Sequence, residues 1–143
     1  MLFGTERKQM RDVFFDAWRK HREDLPLEGI DKAVVDIALR HPEYHAVLDH
    51  PEAHVDRDYL PDAGETNPFL HLGLHVAIHE QLSTDRPAGV LGAYHRLLAR
   101  LDDAHAVEHR MMECLAEWLW QAQRQAAELP ETEYLDCLNR QAR

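Results

Sequence analysis

Histidines recur at a spacing of four residues in several parts of this chain. The pairs are His41 and His45, His50 and His54, His71 and His75, His75 and His79, and His105 and His109. A spacing of four places two imidazoles on one face of a helix, where both can reach a single metal ion. Random placement of the 11 histidines would give only about 0.8 such pairs. The excess predicts a histidine-rich metal site built on helices.

The segment from Asn67 to Gln81, NPFLHLGLHVAIHEQ, carries three of these histidines in an otherwise largely apolar stretch. At about 100° per residue, His71, His75 and His79 lie opposite the polar residues of the same helix. Such side chains point into the protein or line a cleft, where imidazole needs partners for both ring nitrogens. We predict that His71 and His75 are substantially buried and face the helix that carries His109.

That later helix carries a carboxylate among its apolar residues. On the helical wheel Glu108 lies in the middle of the core side, and His105 and His109 lie on its flank, one turn apart. A buried carboxylate is costly unless a cation or strong donors satisfy it, so Glu108 is a predicted metal ligand. Glu113 lies a further turn along toward the solvent side. It is the candidate general base if the site is catalytic.

A third pair lies near Pro42. His41 falls on the apolar side of its predicted helix, and His45 follows one turn on if helical winding persists through the proline. The predicted ligands are His71, His75, His105, His109 and Glu108, with His41 and His45 as further candidates. Imidazoles with a carboxylate suit Zn, Fe, Ni or Cu and discriminate poorly between them. The sequence leaves open whether His79, His50 and His54 take part.

The spacing of apolar residues predicts an all-α fold, since sustained two-residue alternation and hairpin signals are missing. The predicted helices cover about residues 5–21, 27–41, 68–83, 90–101, 103–128 and 132–141. Pro42 either kinks the second helix or opens a short one that ends near Leu48. Asn67, and Asp102 or Asp103, are predicted helix N-caps. We therefore expect a bundle of about five to six helices, with residues 1–143 forming a single domain.

Composition limits the classes of function. The formal net charge of -10 argues against nucleic-acid binding, which draws its affinity from basic side chains. The basic cluster of Arg7, Lys8 and Arg11 is interpreted as a solvated helix face. No apolar run approaches the roughly 20 residues of a membrane span, and no secretory signal is recognised, so a cytoplasmic protein is expected. Cys114 and Cys137 lack a metal-type spacing and are expected to be buried thiols.

Several catalytic motifs are missing from the sequence. The chain has no HExxH zinc-protease motif, no His-Asp dipeptide, no phosphate-binding glycine loop, no GxSxG elbow and no CxxC. The Glu-x-x-His signature of ferritin-like di-iron bundles is also missing, although His105 and Glu108 have the reverse order. The sequence therefore predicts a site but no reaction.

Four strings in the sequence carry a family resemblance. They are HPEYH (41–45), NPFLHLGLHVAIHEQ (67–81), DRPAG (85–89) and EHRMMECLAEWLWQAQR (108–124). With these motifs the chain resembles the bacterial domain-of-unknown-function family 1841 over nearly its whole length. The resemblance implies a bacterial cytoplasmic protein and brings no catalytic assignment with it.

Two classes of function remain open. The first is a helical-bundle metalloprotein, in which an open coordination position would let the ion act as a Lewis acid or hydroxide source, or bind oxygen if it is iron. The second is a non-enzymatic interaction or structural protein, with structural histidines and a homodimer formed through the helix that carries Trp118 and Trp120. Metal analysis of protein purified without a histidine tag distinguishes the two classes.

Overall fold

A computed structural model describes residues 2–60 and 64–143, and within these residues the chain is helical without strands. The elements are α1 (Leu2–Arg22), α2 (Ile30–Leu39), a 3-10 turn (Pro42–Tyr44), α3 (His45–Asp49), α4 (Pro51–His54), α5 (Pro68–Thr84), α6 (Val90–Leu101), α7 (Ala104–Gln125) and α8 (Glu131–Gln141). The all-α prediction is confirmed. None of the described helices combines the length and apolarity needed to cross a membrane.

The number of helices differs from the prediction. The described residues form eight α-helices rather than five or six, and the additional ones are short. Two His-Pro steps account for them, since His41 and His50 adopt nearly the same extended conformation, with φ of -129° and ψ of 66° or 67°. A residue before proline favours such a conformation, and a proline favours the first position of a helix. Each step therefore ends one helical segment and begins another.

The chain divides into two compact units, Met1–Gly73 and Leu74–Arg143, and the boundary falls within α5. The core of the first unit is built on one face of α1. Its buried apolar side chains include Phe14, Phe15, Trp18, Val34, Ile37, Leu48 and Phe69. Trp18 also donates from Nε1 to Asp49 Oδ1 at 2.7 Å, which ties α1 to the end of α3.

Arg11 lies inside the first unit. The interpretation of its basic cluster as a solvated face is wrong for this residue, because Arg11 is only 2% exposed. One guanidinium nitrogen donates to the carbonyl oxygens of His54, Val55 and Arg57 at 2.9, 3.1 and 2.8 Å. The last carbonyls of a helix have no partner within the helix, and Arg11 supplies one for the end of α4.

The second unit packs α6, α7 and α8 around an apolar core. Its fully buried members include Ile78, Val90, Ala93, Leu97, Val107, Met111 and Leu138. Cys114 of α7 and Cys137 of α8 form a disulfide, with a Cα–Cα distance of 5.8 Å. The prediction of two buried thiols is therefore wrong. The pairing depends on how two helices pack, which the spacing of the cysteines in the sequence does not reveal.

Candidate metal centre

The residues that begin α5 determine where its histidines lie. Asn67 Oδ1 accepts hydrogen bonds from the backbone N–H groups of Phe69 and Leu70, at 3.0 and 3.2 Å, which confirms the predicted N-cap. Along the helix that follows, His75 is 1% exposed. His71 is half-buried and His79 is exposed. The predicted burial is thus clearest for the middle member of the column.

The start of α7 is fixed in the same way. Asp102 ends α6 in the left-handed conformation, and Asp103 caps α7 by accepting from the N–H groups of His105 and Ala106 at 3.0 and 3.2 Å. The predicted cap is confirmed. Because the helix begins at residue 104, His105 and His109 occupy its first two turns on neighbouring positions of one face.

Within the second unit, His75, His105 and His109 form a compact group. The Nε2 atoms of His75 and His109 are 3.2 Å apart. The His105 ring lies 4.2 Å from that of His109 and 5.4 Å from that of His75, measured between centroids. One nitrogen of each ring lies within 4.8 Å of the others, so the group could hold a metal ion. Two nitrogens bound tetrahedrally at about 2.05 Å from one ion would be separated by about 3.3 Å.

Glu108 approaches this group from another side. Its side chain is 15% exposed, and its Oε2 lies 3.9 Å from Nδ1 of His75. This is the ring nitrogen that does not face His109. A carboxylate near the second nitrogen of a ligating histidine orients the ring and increases its basicity. The geometry therefore favours an orienting position for Glu108 over direct contact with an ion bound at Nε2 of His75.

The first unit contains a histidine pair of its own. His41 is 3% exposed, and its Nε2 lies 3.2 Å from Nε2 of His71. Nδ1 of His41 donates to the carbonyl oxygen of Ile37 at 2.8 Å, which places the lone pair of the neutral ring on Nε2. Metal-ligating histidines commonly have this arrangement, with one nitrogen bonded to a carbonyl and the other directed to the ion.

The other histidine near Pro42 has a different neighbourhood. His45 donates from Nε2 to the carbonyl oxygen of Ala38 at 2.7 Å. Its ring packs on Trp18, with a centroid distance of 4.5 Å. This hydrogen bond engages one of the two ring nitrogens of His45, so only Nδ1 is left as a ligand atom.

The remaining candidates lie nearer the surface. Glu113 is exposed on α7, and His50 is exposed ahead of α4. His54 is half-buried and lies 2.7 Å from the hydroxyl of Tyr59 through Nδ1. Burial, followed by the charge of Arg57, lowers the pKa of His54. The two histidines of the 50/54 pair therefore have different surroundings. His50 is exposed, and the His54 ring forms a local hydrogen bond.

The family model described as "Domain of unknown function (DUF1841)" matches residues 6–140. The chain belongs to this family. In this DUF1841 chain the matched span contains every residue of the predicted ligand set. No curated protein and no solved structure matches the chain.

Sequence reasoning missed the carbonyl that orients His41 in this DUF1841 chain. Ile37 precedes His41 by four residues at the end of α2, and its carbonyl oxygen also accepts from the backbone N–H of Arg40 at 3.1 Å. A histidine just beyond a helix terminus can add a side-chain donor to one of the last carbonyl oxygens. The spacing between an aliphatic residue near the end of a helix and a histidine four residues later was therefore an available signal.

Proposed function

We propose that this protein binds a transition-metal ion through His75, His105 and His109. The observation that carries the proposal is the 3.2 Å separation of the Nε2 atoms of His75 and His109. Imidazole nitrogens at that separation either share a proton or share an ion. The third ring lies close enough to complete a three-nitrogen set.

Three imidazoles suit Zn, Fe, Ni or Cu, with the identity of the ion decided by geometry and availability. A three-histidine set leaves a fourth tetrahedral position for water or substrate. An ion bound there would polarise that ligand. The role of Glu113 as general base stays a prediction, since its side chain is exposed.

The direct test is metal analysis and titration of untagged protein. Zn²⁺, Ni²⁺, Cu²⁺ and Fe²⁺ are added in turn to metal-free protein, and affinity is measured by competition with a chelator of known affinity. His75→Ala and His109→Ala should each weaken binding more than about 100-fold, because loss of an orienting partner alone costs 10- to 100-fold. His95→Ala is the matched control, since this histidine is exposed on α6 of the same unit. Equal affinities in all four proteins would contradict the proposal.

The same titration tests the other predicted ligands. Glu108→Gln should weaken binding by about 10- to 100-fold if the carboxylate orients His75, and should match the loss in His75→Ala if it is a ligand. That His41, His71 and His45 are metal ligands remains a separate prediction. An alanine variant of each, compared with the parent protein, decides whether that residue belongs to the ligand set.

The structural alternative makes an opposite prediction about stability. In that case an N–H group of one ring donates to the neighbouring nitrogen, and a chelator has no effect on unfolding. Under the metal proposal, ion at a hundredfold excess over its dissociation constant stabilises the native state by about 2.7 kcal/mol. Thermal unfolding with and without a chelator distinguishes these outcomes. An unchanged midpoint together with no bound metal would leave packing and hydrogen bonding as the role of the histidines.

A second candidate function is self-association through α7. Leu119 and Trp120 are 44% and 50% exposed in consecutive positions of that helix. Exposed neighbouring apolar side chains are common in protein interfaces, and tryptophan is enriched there. We infer that a homodimer would bury this part of α7.

A further inference from the structure

The disulfide of the second unit lies in the wall of a cavity. The cavity has a volume of about 280 Å³, and both Cys114 and Cys137 line it. Cys114 is 2% exposed, whereas Cys137 is only half-buried. We propose that this disulfide is a thiol–disulfide exchange site, attacked at Cys137 by small thiols that enter the cavity, with a preference for cationic thiols.

Because Cys137 is the more exposed residue of the pair, we expect the attack at its sulfur. Exchange requires a thiolate to reach a disulfide sulfur, so its rate depends on access. The incoming thiolate forms a mixed disulfide with Cys137, and the bonding electrons of the broken S–S bond leave with Cys114 as a thiolate. A second thiolate then attacks the sulfur of the bound thiol and releases Cys137 as a thiolate. The two steps yield a small-molecule disulfide and a reduced pair, and two electrons pass to the protein.

The charge of the lining determines which thiols are favoured. Glu117, Glu133 and Asp136 line the cavity together with one cation, Arg140. The carboxylates outnumber the guanidinium, so the cavity repels an anionic nucleophile. An ammonium group on the thiol offsets this repulsion, whereas a carboxylate on the thiol adds to it. The Trp118 side chain supplies an apolar wall for the carbon chain of the thiol.

Other contacts keep α8 in place when the disulfide is open. Tyr134 donates from its hydroxyl to Gln81 Oε1 at 2.6 Å, and Trp118 Nε1 donates to the carbonyl oxygen of Pro130 at 3.1 Å. Leu138 is fully buried in the core of the unit. The reduced protein should therefore remain folded, and the exchange should be reversible.

The test compares three thiols on the native protein at low ionic strength. Cysteamine is cationic, 2-mercaptoethanol is neutral and 3-mercaptopropionate is anionic. Each rate of disulfide opening is divided by the rate of the same thiol with bis(2-hydroxyethyl) disulfide, which removes differences in intrinsic reactivity. Normalised rates should fall in that order, with about tenfold between the first and the last, and should converge near 1 M salt. Mass mapping of the trapped mixed disulfide should place it on Cys137.

Charge variants test whether the carboxylates of the cavity, and not charges elsewhere in the molecule, determine the preference among thiols. The double variant Glu133→Gln with Asp136→Asn should bring the three normalised rates to within about twofold of each other. Asp36→Asn, on α2 and outside the cavity lining, should leave them unchanged. The proposal is overturned if the purified protein contains two free thiols, if the label maps to Cys114, or if the three normalised rates are equal. It is also overturned if opening proceeds only at the rate of global unfolding.

Discussion

At the residue scale, His75 has a different neighbour at each ring nitrogen. Nε2 lies 3.2 Å from Nε2 of His109, and Nδ1 lies 3.9 Å from Oε2 of Glu108. Because one nitrogen of a neutral imidazole carries the proton, a carboxylate near Nδ1 favours the proton there and the lone pair on Nε2. This tautomer is the one that the proposed ion between His75 and His109 would require.

Another contact at the residue scale predicts a dependence of stability on pH. Lys20 Nζ lies 3.0 Å from Oδ2 of Asp31, which also accepts from the backbone N–H of Glu28 at 3.3 Å. The hydrogen bond from Lys20 lowers the pKa of Asp31 by more than burial raises it. A carboxyl whose pKa is lower in the folded state stabilises the fold above its unfolded pKa of about 3.9. That contribution is lost as the pH falls through the folded pKa.

Asp31→Asn should therefore destabilise the protein by about 0.5–1 kcal/mol at pH 7. The difference from the parent protein should shrink as the pH is lowered toward 3, because the parent carboxyl then becomes neutral. Urea unfolding over this pH range measures the difference. Asp36→Asn removes an exposed carboxylate from the same helix and should change stability little. A loss that is the same at pH 7 and pH 3 would contradict the ionic explanation.

At the scale of the elements, α7 carries two histidines of the candidate metal centre and one cysteine of the disulfide. Its first two turns carry His105 and His109, and its middle carries Cys114 of the disulfide. The N-cap Asp103 determines where the helix begins, so it determines which side chains share the histidine face. A shift of one residue would turn that face by about 100° and separate His109 from His75.

The contact of α1 with the end of α4 gives a prediction at the same scale. Burial, followed by the charge of Arg7, lowers the pKa of Arg11. The guanidinium also lies 4.7 Å from the centroid of Phe69. Arg11→Met would leave three carbonyl oxygens without their charged donor and remove a buried guanidinium, and we expect a loss of about 2–4 kcal/mol of stability.

Thermal and urea unfolding measure this loss. Arg11→Lys should recover part of the stability, because an ammonium group can donate to these carbonyls without reproducing the planar fork of the guanidinium. Arg19→Met is the control on the same helix, since the ion pair of Arg19 with Glu23 is exposed. A change below about 0.5 kcal/mol in Arg11→Met would show that water replaces the guanidinium at no cost.

At the scale of the whole molecule, net charge affects whether two copies of the chain associate. The net charge of -10 opposes close approach of two copies, and the opposition is strongest at low salt. A dimer formed through α7 would therefore be favoured as ionic strength rises. One face of the exposed Trp120 indole already contacts the guanidinium of Arg124, at 5.2 Å from the ring centroid.

Sedimentation or light scattering over a range of concentrations should find a dimer for the parent protein. In Trp120→Ser, loss of the indole should weaken association by at least 10-fold, since a tryptophan at the centre of an interface commonly contributes more than 1.4 kcal/mol. Leu70→Ser, which removes an exposed leucine from α5, is the control and should have no effect. A parent protein that is monomeric at every concentration would rule out this interface.

The sequence by itself determined the local features of this protein. The all-α class, the N-cap Asn67, an N-cap at Asp102 or Asp103 and the burial of His75 were all predictable. Capping and helical periodicity depend on residues within one or two turns, so a single segment contains the information. The spacing of four that groups His105 with His109 is a property of the same kind.

Only the tertiary structure decided which of these faces meet. It placed His75 against His109, buried Arg11 beneath the carbonyls that follow α4, and joined Cys114 to Cys137. Each contact joins residues more than 20 positions apart, where helix packing determines the distance between side chains. Local patterns describe the face that a helix presents but not the partner of that face. The histidine spacing therefore indicated a candidate site, and helix packing brought His75, His105 and His109 close together.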